Sequence, residues 1–322
     1  MQWIYDLGIQ FIANLQALGS WQITPMKIIS FLGTEEFYML ILPALYWCIN
    51  SIVGIRVAVI LVVSSGLNDA LKMVFRGPRP YWVSDKVAGF AEETSFGVPS
   101  GHSQSAAAIW GIMAASLRKG WGWIVAVLII FLIGISRLSL GVHFPHDVLL
   151  GWLIGILLVW VTMRLWEPVL TWAKKQSLGR QILLAFLSSL GLLLIPVIPF
   201  VWLRLSGWQA PPEWASYATQ AVTLEGGLTS AGTLFGVLAG AAWLAHQGWF
   251  QEKGAWWKLV LRYLLGVAGV LAIRYGLKAV FPEGENLLAY FLRFVRYALI
   301  GFWLAGGAPW TFIKLKLAEK LH

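Results

Sequence analysis

Long apolar runs alternate with short polar stretches along this chain, and the lengths of the runs predict its architecture. A helix needs about 20 largely apolar residues to cross the ~30 Å hydrocarbon core of a bilayer. Nine runs approach that length, at residues 34–50, 54–75, 102–117, 122–139, 147–165, 181–204, 226–246, 258–281 and 287–310. We therefore predict an all-α polytopic membrane protein with about nine transmembrane helices.

Two stretches of the chain depart from this alternation. From Trp3 to Leu18, apolar residues recur at helical spacing with polar side chains between them, which is typical of a helix lying on a membrane surface. Near residues 165–180 the chain turns polar and amphipathic. We predict an interfacial N-terminal helix in residues 1–30, a transmembrane core in residues 31–166 and a C-terminal transmembrane region in residues 167–322.

Composition supports the membrane interpretation and limits the partners. The chain is 58% hydrophobic and 12% charged, with a mean hydropathy of +0.71, so it is too apolar for a soluble protein. Its formal charge of +9 comes from Lys and Arg scattered between apolar runs, which membrane topology explains better than a nucleic-acid partner. Cys48 is the only cysteine, which excludes an intramolecular disulfide and a cysteine-rich metal site.

An Arg, a His and an Asp stand close together at the end of the fourth apolar run. Pro145 suits the first turn of a helix, so His143 precedes that helix and Asp147 lies in its first turn. A carboxylate so placed can orient an imidazole that acts as a nucleophile or base. Arg137 adds a charged fork suited to phosphate, and the stretch therefore predicts a phosphoryl site. His146 also adjoins Asp147, but it would point from another face of the helix.

Cations and a glycine-rich turn precede this stretch. Lys72, Arg76 and Arg79 stand at relative positions 0, 4 and 7, so a helix end would direct all three toward one region, where an anion is needed. Ser100 is a good helix N-cap, and the amides near Ser100 and Gly101 suit an anion. His102 is then placed for proton transfer.

These stretches resemble three signature motifs of the type 2 phosphatidic acid phosphatase superfamily, which is shared with vanadium haloperoxidases. The resemblance rests on Lys72 with Arg79-Pro80, on Pro99 to His102, and on Ser136-Arg137 with His143 and Asp147. Within the superfamily, Arg79 to Trp82 and His143 to His146 look most like the glucose-6-phosphatase branch. Asp147 instead looks like the lipid phosphatases.

The resemblance implies a helical-bundle phosphatase core that works through a covalent phosphohistidine without metal or cofactor. His143 would attack phosphorus, oriented by Asp147, and His102 would protonate the leaving oxygen and then activate water. The phosphate oxygens would be bound by three cations and by the amides of the turn, namely Lys72, Arg79, Arg137, Ser100 and Gly101.

The substrate is predicted to be a phosphomonoester or pyrophosphate of a lipid, because embedding places the site at the level of lipid head groups. A glucose-6-phosphatase-like sugar phosphatase is the alternative. Phosphotransfer, a vanadate-dependent peroxidase and a transporter remain further hypotheses, and the oligomeric state stays open. Glu35 and Glu36 read as interfacial carboxylates rather than metal ligands, because no His or Asp accompanies them at ligand spacing.

The distribution of basic residues predicts the orientation in a cell membrane. With nine spans, all three motifs lie on one side, where the loops 206–225 and 282–286 carry no Lys or Arg. Most basic residues fall on the other side, so the positive-inside rule places the N-terminus and the site outside the cytoplasm (or in a lumen), and the C-terminus inside.

Two further features belong to the C-terminal region. Glycines at positions 226, 232, 236 and 240 predict close helix packing in lipid. Four cations, Arg274, Lys278, Arg293 and Arg296, lie within or near the last two spans. They either extend to the interface or form a second cationic patch for a substrate head group.

Overall fold

Helices make up about three quarters of the chain in the computed structural model, which describes residues 2–321. In chain order they are α1 (Gln2–Gln16), α2 (Ile23–Phe31), α3 (Glu35–Ala44), α4 (Ser51–Phe75), α5 (Pro80–Val83), α6 (Gly101–Leu117), α7 (Gly120–Ser139), α8 (Pro145–Lys174), α9 (Leu178–Leu205), α10 (Glu225–Gln247), α11 (Trp256–Val280), α12 (Leu287–Phe302) and α13 (Ala308–Lys314). Short π-helical turns at Leu45–Ile49 and Trp303–Gly307 extend α3 and join α12 to α13. The predicted all-α polytopic membrane fold is confirmed.

The described part of the chain has fewer long spans than the nine predicted. Seven helical segments are long and apolar enough to cross a membrane, and a pair bent by 46°, Ser20–Phe31 with Glu35–Ile49, would make an eighth. The predicted span 34–50 is thus one limb of the bent pair. The predicted span 102–117 is α6, whose 17 residues extend about 26 Å, less than the ~30 Å hydrocarbon core.

Local sequence signals fix the helix starts nearest the motifs. Ser100 caps α6, and its side chain accepts a hydrogen bond from the Ser103 amide at 3.4 Å. Pro145 opens α8, where a missing amide hydrogen is tolerated. Both starts match the sequence predictions.

One compact unit contains all three motifs. It comprises the described residues up to 38 together with residues 67–161 and 195–224. Within it, α1 is more than a surface helix. The Tyr5 ring packs edge-on against Phe144, with centroids 5.0 Å apart, and the Gln16 amide donates to the carbonyl oxygens of Ala88 and Ser139. The N-terminal helix therefore supports the loop that carries His143.

A second compact unit comprises residues 39–66, 162–194 and those from 225 onward. Each unit is built from three separate stretches of chain. The division into consecutive domains that the sequence suggests stays a prediction. In this unit, α10 and α12 pack closely: a Cβ on Gly232 would lie 2.5 Å from the Phe294 carbonyl oxygen, and one on Gly240 would lie 2.8 Å from that of Phe302. The small-residue packing predicted for α10 is confirmed.

Two of the four cations of the last spans form ion pairs within the second unit. Arg293 forms a 2.6 Å ion pair with Glu225, and Lys278 forms a 3.3 Å pair with Glu283. Arg296 is buried and lies over the Tyr297 ring. The two ion pairs offset positive charge, and they do not favour a second patch for phosphate.

Candidate active site

Arg79 is the most connected side chain of the motif region. It is fully buried and stands directly before α5. Its Nε donates to the Ser95 carbonyl oxygen at 2.8 Å, and its Nη1 donates to the Val142 carbonyl oxygen at 2.9 Å. The same Nη1 lies 3.3 Å from His143 Nε2. The guanidinium is therefore held rigidly against the ring predicted to be the nucleophile.

The His143 ring is fixed from its other side by Asp147. The two side chains are 1% and 0% exposed, and His143 Nδ1 lies 3.3 Å from Asp147 Oδ2. The same carboxylate oxygen accepts a 2.9 Å hydrogen bond from the Phe144 amide. A proton on Nδ1 directed at the carboxylate leaves the lone pair of Nε2 facing Arg79, so Nε2 is the nitrogen available to an anion there.

Ser100 and Gly101 join the second motif to the others. The Ser100 amide donates to the Asp147 backbone carbonyl at 3.0 Å, so this amide, predicted to bind an anion, is already used. A Cβ on Gly101 would lie 3.0 Å from Asn68 Oδ1 and 3.9 Å from Lys72 Nζ. The absence of a side chain at position 101 therefore lets the start of α6 pack closely against Asn68, while Lys72 Nζ lies near the same backbone.

Two residues that the sequence did not single out complete the cluster. Glu93 forms ion pairs with Arg79, at 3.3 Å, and with Arg137. The Ser95 hydroxyl accepts from Lys72 Nζ at 2.7 Å and from Arg79 Nη2 at 3.2 Å. All three predicted phosphate-binding cations therefore reach one short segment, residues 93–95. The sequence signal that could have identified Glu93 is a carboxylate in the loop directly before the second motif.

Arg137 is also placed by the bent N-terminal pair of helices. It stands in the last turn of α7 and is 2% exposed. Its Nη1 donates to the Ser30 hydroxyl at 2.6 Å, and its backbone carbonyl accepts from the Val142 amide at 3.2 Å. Ser30, at the end of α2, is a further site residue that motif spacing does not reveal.

The remaining predicted residues divide into those near the cluster and those away from it. His102 lies in the first turn of α6, close enough to the cluster to interact electrostatically with Glu93 and the surrounding cations. Arg76 does not join them, because α4 ends at Phe75 and Arg76 takes a left-handed backbone with φ of 52°. Its guanidinium lies over the Trp202 and Trp208 rings instead. The expectation that Arg76 would point with Lys72 and Arg79 is wrong.

His146 contacts the same aspartate but not the cations named above. Its Nε2 lies 3.2 Å from Asp147 Oδ1, and its ring, 27% exposed, stacks on Phe144. His143 instead faces Arg79. The geometry therefore favours His143 over His146 as the histidine that meets a bound anion.

The charge balance of the site keeps Glu93 ionised and His143 neutral. Burial would raise the pKa of the Glu93 carboxyl, but Arg79 and Arg137 together hold that pKa well below its usual range. Burial, with the same two cations, lowers the pKa of the His143 imidazole well below its ordinary value. A neutral imidazole at physiological pH is the nucleophilic form.

Aromatic side chains border the cluster on the side of residues 195–224. Trp82 is 4% exposed and stacks on both Trp214 and Tyr217. Tyr81 is half-buried, and its hydroxyl lies 3.4 Å from the Glu93 carbonyl oxygen. Trp82 is therefore enclosed by other aromatic rings, and Tyr81 is the more exposed residue of this pair.

Comparison with known proteins agrees with the motifs. Residues 53–169 match the PAP2 superfamily, and residues 228–320 match the transmembrane extension of PAP2 superfamily phosphatases. PAP2 denotes the type 2 phosphatidic acid phosphatases that the motifs resemble. The two matches include all of the predicted site residues and most of the second compact unit.

Individual relatives include phosphatases of sugar and of lipid phosphates. Human glucose-6-phosphatase 2 is 24% identical over 97% of this chain and 96% of its own length. Phosphatidylglycerophosphatase B of Bacillus subtilis is 36% identical over 34% of this chain, and the matched part is 56% of that protein.

A solved structure is also similar. The crystal structure of a transmembrane PAP2-type phosphatidylglycerolphosphate phosphatase from Bacillus subtilis matches at 29% identity, with a TM-score of 0.44, over 51% of this chain and 87% of that one. The family matches, the motifs and the membrane helices agree, and this chain belongs to the PAP2 superfamily as a multi-pass membrane phosphatase of phosphate esters.

Proposed function

We propose that this enzyme hydrolyses its phosphate ester through a phosphohistidine formed on Nε2 of His143. The observation that carries the proposal is the position of one imidazole between two partners: Asp147 lies 3.3 Å from Nδ1, and Arg79 lies 3.3 Å from Nε2. A nucleophile oriented by a carboxylate and facing a fixed cation is well placed to attack a phosphate that the cation binds.

The cations bind and neutralise the transferring group. Lys72, Arg79 and Arg137 converge on residues 93–95, and they bind the equatorial phosphate oxygens, on which the charge of the transition state is spread. The turn at Ser100 and Gly101 brings its backbone beside Lys72. Because the Ser100 amide is already bonded to Asp147, the amides at the start of α6 that follow it supply the backbone donors.

His102 completes the cycle as acid and then base. His102 takes part in its protonated form, which the negative charge of the bound phosphate stabilises. The bond from phosphorus to the leaving oxygen breaks as the bond to His143 Nε2 forms, and the His102 imidazolium gives the leaving oxygen its proton. His102 then takes a proton from water, whose oxygen attacks phosphorus and breaks the phosphorus–nitrogen bond. Inorganic phosphate leaves, and both histidines return to their starting forms.

We propose a lipid phosphate as the substrate. Three of the helices that carry motif residues also border one apolar cavity of about 270 Å³, whose lining includes Ala107 of α6, Phe131 of α7 and Trp152 of α8. These three residues lie five or six positions from His102, Arg137 and Asp147 respectively, which corresponds to about 8–9 Å along a helix. A hydrocarbon chain in this cavity lies within reach of a phosphate held at the helix ends.

A soluble sugar phosphate is the second candidate. The alignment with glucose-6-phosphatase 2 along nearly the whole length of both chains favours it. Tyr81, half-buried beside the Glu93 loop, is an aromatic surface on which a hexose can rest.

The experiment is phosphate release by the purified protein from long-chain lipid phosphates, lipid pyrophosphates and sugar phosphates, with His143→Ala as the inactive control. We expect turnover of a lipid phosphate that the variant lacks. Release by the variant at the wild-type rate would contradict the proposed nucleophile, and turnover of sugar phosphates alone would replace the proposed substrate.

A further inference from the structure

Glu93 stands where the proposed mechanism needs an anion. Its two carboxylate oxygens are divided between two cations, with Oε2 3.3 Å from Arg79 Nη2 and Oε1 paired with Arg137 Nη2. Of these two cations, Arg79 also contacts the His143 ring. A carboxylate shared by two guanidinium groups uses the same donors that a phosphate uses.

The rest of the loop shows that this position is specific to Glu93. Ser95, two residues on, is held at both its hydroxyl and its carbonyl by Lys72 and Arg79. The neighbouring Glu92 is exposed and forms no ion pair within the described residues. The Glu93 side chain is 20% exposed, whereas that of Arg79 is 0% exposed, so Glu93 is the partner that lies nearer to solvent.

We propose that Glu93 is a built-in competing anion, which occupies the phosphate position in the resting enzyme and must be displaced by the substrate. The proposal rests on the proposed function, because it assumes that Arg79 and Arg137 bind the substrate phosphate. In the resting state the carboxylate neutralises the buried cations. A substrate phosphate, which carries more charge, replaces it, and the return of the carboxylate helps to expel inorganic phosphate after hydrolysis.

This role predicts the direction in which a charge-removing substitution changes the inhibition constants of anions. Glu93→Gln keeps the size and one acceptor oxygen but removes the negative charge, so incoming anions no longer compete with it. If Glu93 only positioned the arginines, the same substitution would weaken anion binding. The two roles therefore move the inhibition constant in opposite directions.

The test uses the purified full chain in detergent, with hydrolysis of p-nitrophenyl phosphate as the readout and inorganic phosphate and orthovanadate as competitive inhibitors. For Glu93→Gln we expect both inhibition constants and KM to fall by at least about tenfold, because a full charge leaves the site. Glu92→Gln, the matched control, removes an exposed charge from the adjacent position, and its constants should stay within about twofold. Unchanged or raised inhibition constants in Glu93→Gln would overturn the proposal.

A binding measurement separates failure of this inference from failure of the proposed function. Stabilisation against thermal unfolding by inorganic phosphate reports binding without turnover, and it should appear at lower phosphate concentration in Glu93→Gln than in the wild type. Binding by neither protein would overturn the anion site and both proposals, whereas wild-type binding and turnover with no gain in the variant would overturn only the role of Glu93.

If Glu93→Gln does not fold, Glu93→Asp replaces it in the test. The shorter side chain of Asp cannot reach both arginines, so the inhibition constants of this variant should also fall.

Discussion

Asp147 joins two motifs through three separate contacts. Its carboxylate lies against His143 Nδ1 and accepts from the Phe144 amide, while its backbone carbonyl accepts from the Ser100 amide. The aspartate therefore fixes both the tautomer of the proposed nucleophile and the position of the α6 start. Such a support costs no reorganisation when substrate arrives, which is how a preorganised site gains rate.

Separate substitutions of the two motif histidines should have different effects on the covalent intermediate. His143→Ala should abolish turnover and acid-labile phosphoenzyme together, because Nε2 of His143 forms the bond to phosphorus. His102→Ala should lose turnover by about 10²-fold or more and still accept label from a substrate with a good leaving group. Rapid quenching with ³²P-labelled substrate measures both, and label on the His143→Ala protein would contradict the assignment.

Residues with local signals could be predicted from the sequence, and residues brought in by loops could not. The cap at Ser100 and the start at Pro145 follow from the residues themselves and their neighbours in the chain. Glu93, Ser95 and Ser30 reach the cations through a returning loop and a distant helix. Their positions depend on tertiary packing, for which one sequence carries no spacing rule.

At the scale of elements, α1 and α6 differ most from their sequence descriptions. The N-terminal helix was expected at the interface, and it also packs on Phe144 and bonds the loop at Ala88. The run 102–117 was expected to span, yet α6 is short. Hydropathy shows where apolar residues lie but does not distinguish a partner helix from lipid, so neither difference was visible in the pattern.

A bulkier residue in α1 should disturb the nucleophile from a distance. A Cβ at Gly8 would lie 2.6 Å from the Phe144 ring, which is next to His143 in the chain. We expect Gly8→Val to lower kcat by about tenfold or more, because small displacements of reacting groups are costly. Gly191→Val is the control, since a Cβ at Gly191 in α9 meets nothing within 4 Å. Thermal unfolding checks that both variants are folded. If they are folded and their kcat values are equal, α1 does not position the site.

At the scale of the whole molecule, the charge pattern predicts orientation. The motif loops should face away from the cytoplasm, because most Lys and Arg lie in loops assigned to the other side. In a Cys48→Ser background, Lys86→Cys should react with an impermeant maleimide in intact cells, and Lys175→Cys should react only after lysis. Both lysines are exposed, so accessibility within the protein is matched. The reverse labelling pattern would invert the topology.

The last prediction concerns the substrate and tests the apolar cavity beside the site. If a lipid chain lies between α6, α7 and α8 while its phosphate meets His143, shortening the chain to a water-soluble phosphate should lower kcat/KM by at least about 10²-fold, because remote binding positions the reacting group. Ile130→Trp, which fills part of the cavity, should lower kcat/KM for the long-chain substrate and leave the short-chain value unchanged. The measurement compares both substrates in mixed micelles with glucose 6-phosphate under the same conditions. Equal efficiency on glucose 6-phosphate and on the long-chain phosphate, with no effect of Ile130→Trp, would favour the sugar-phosphate candidate instead.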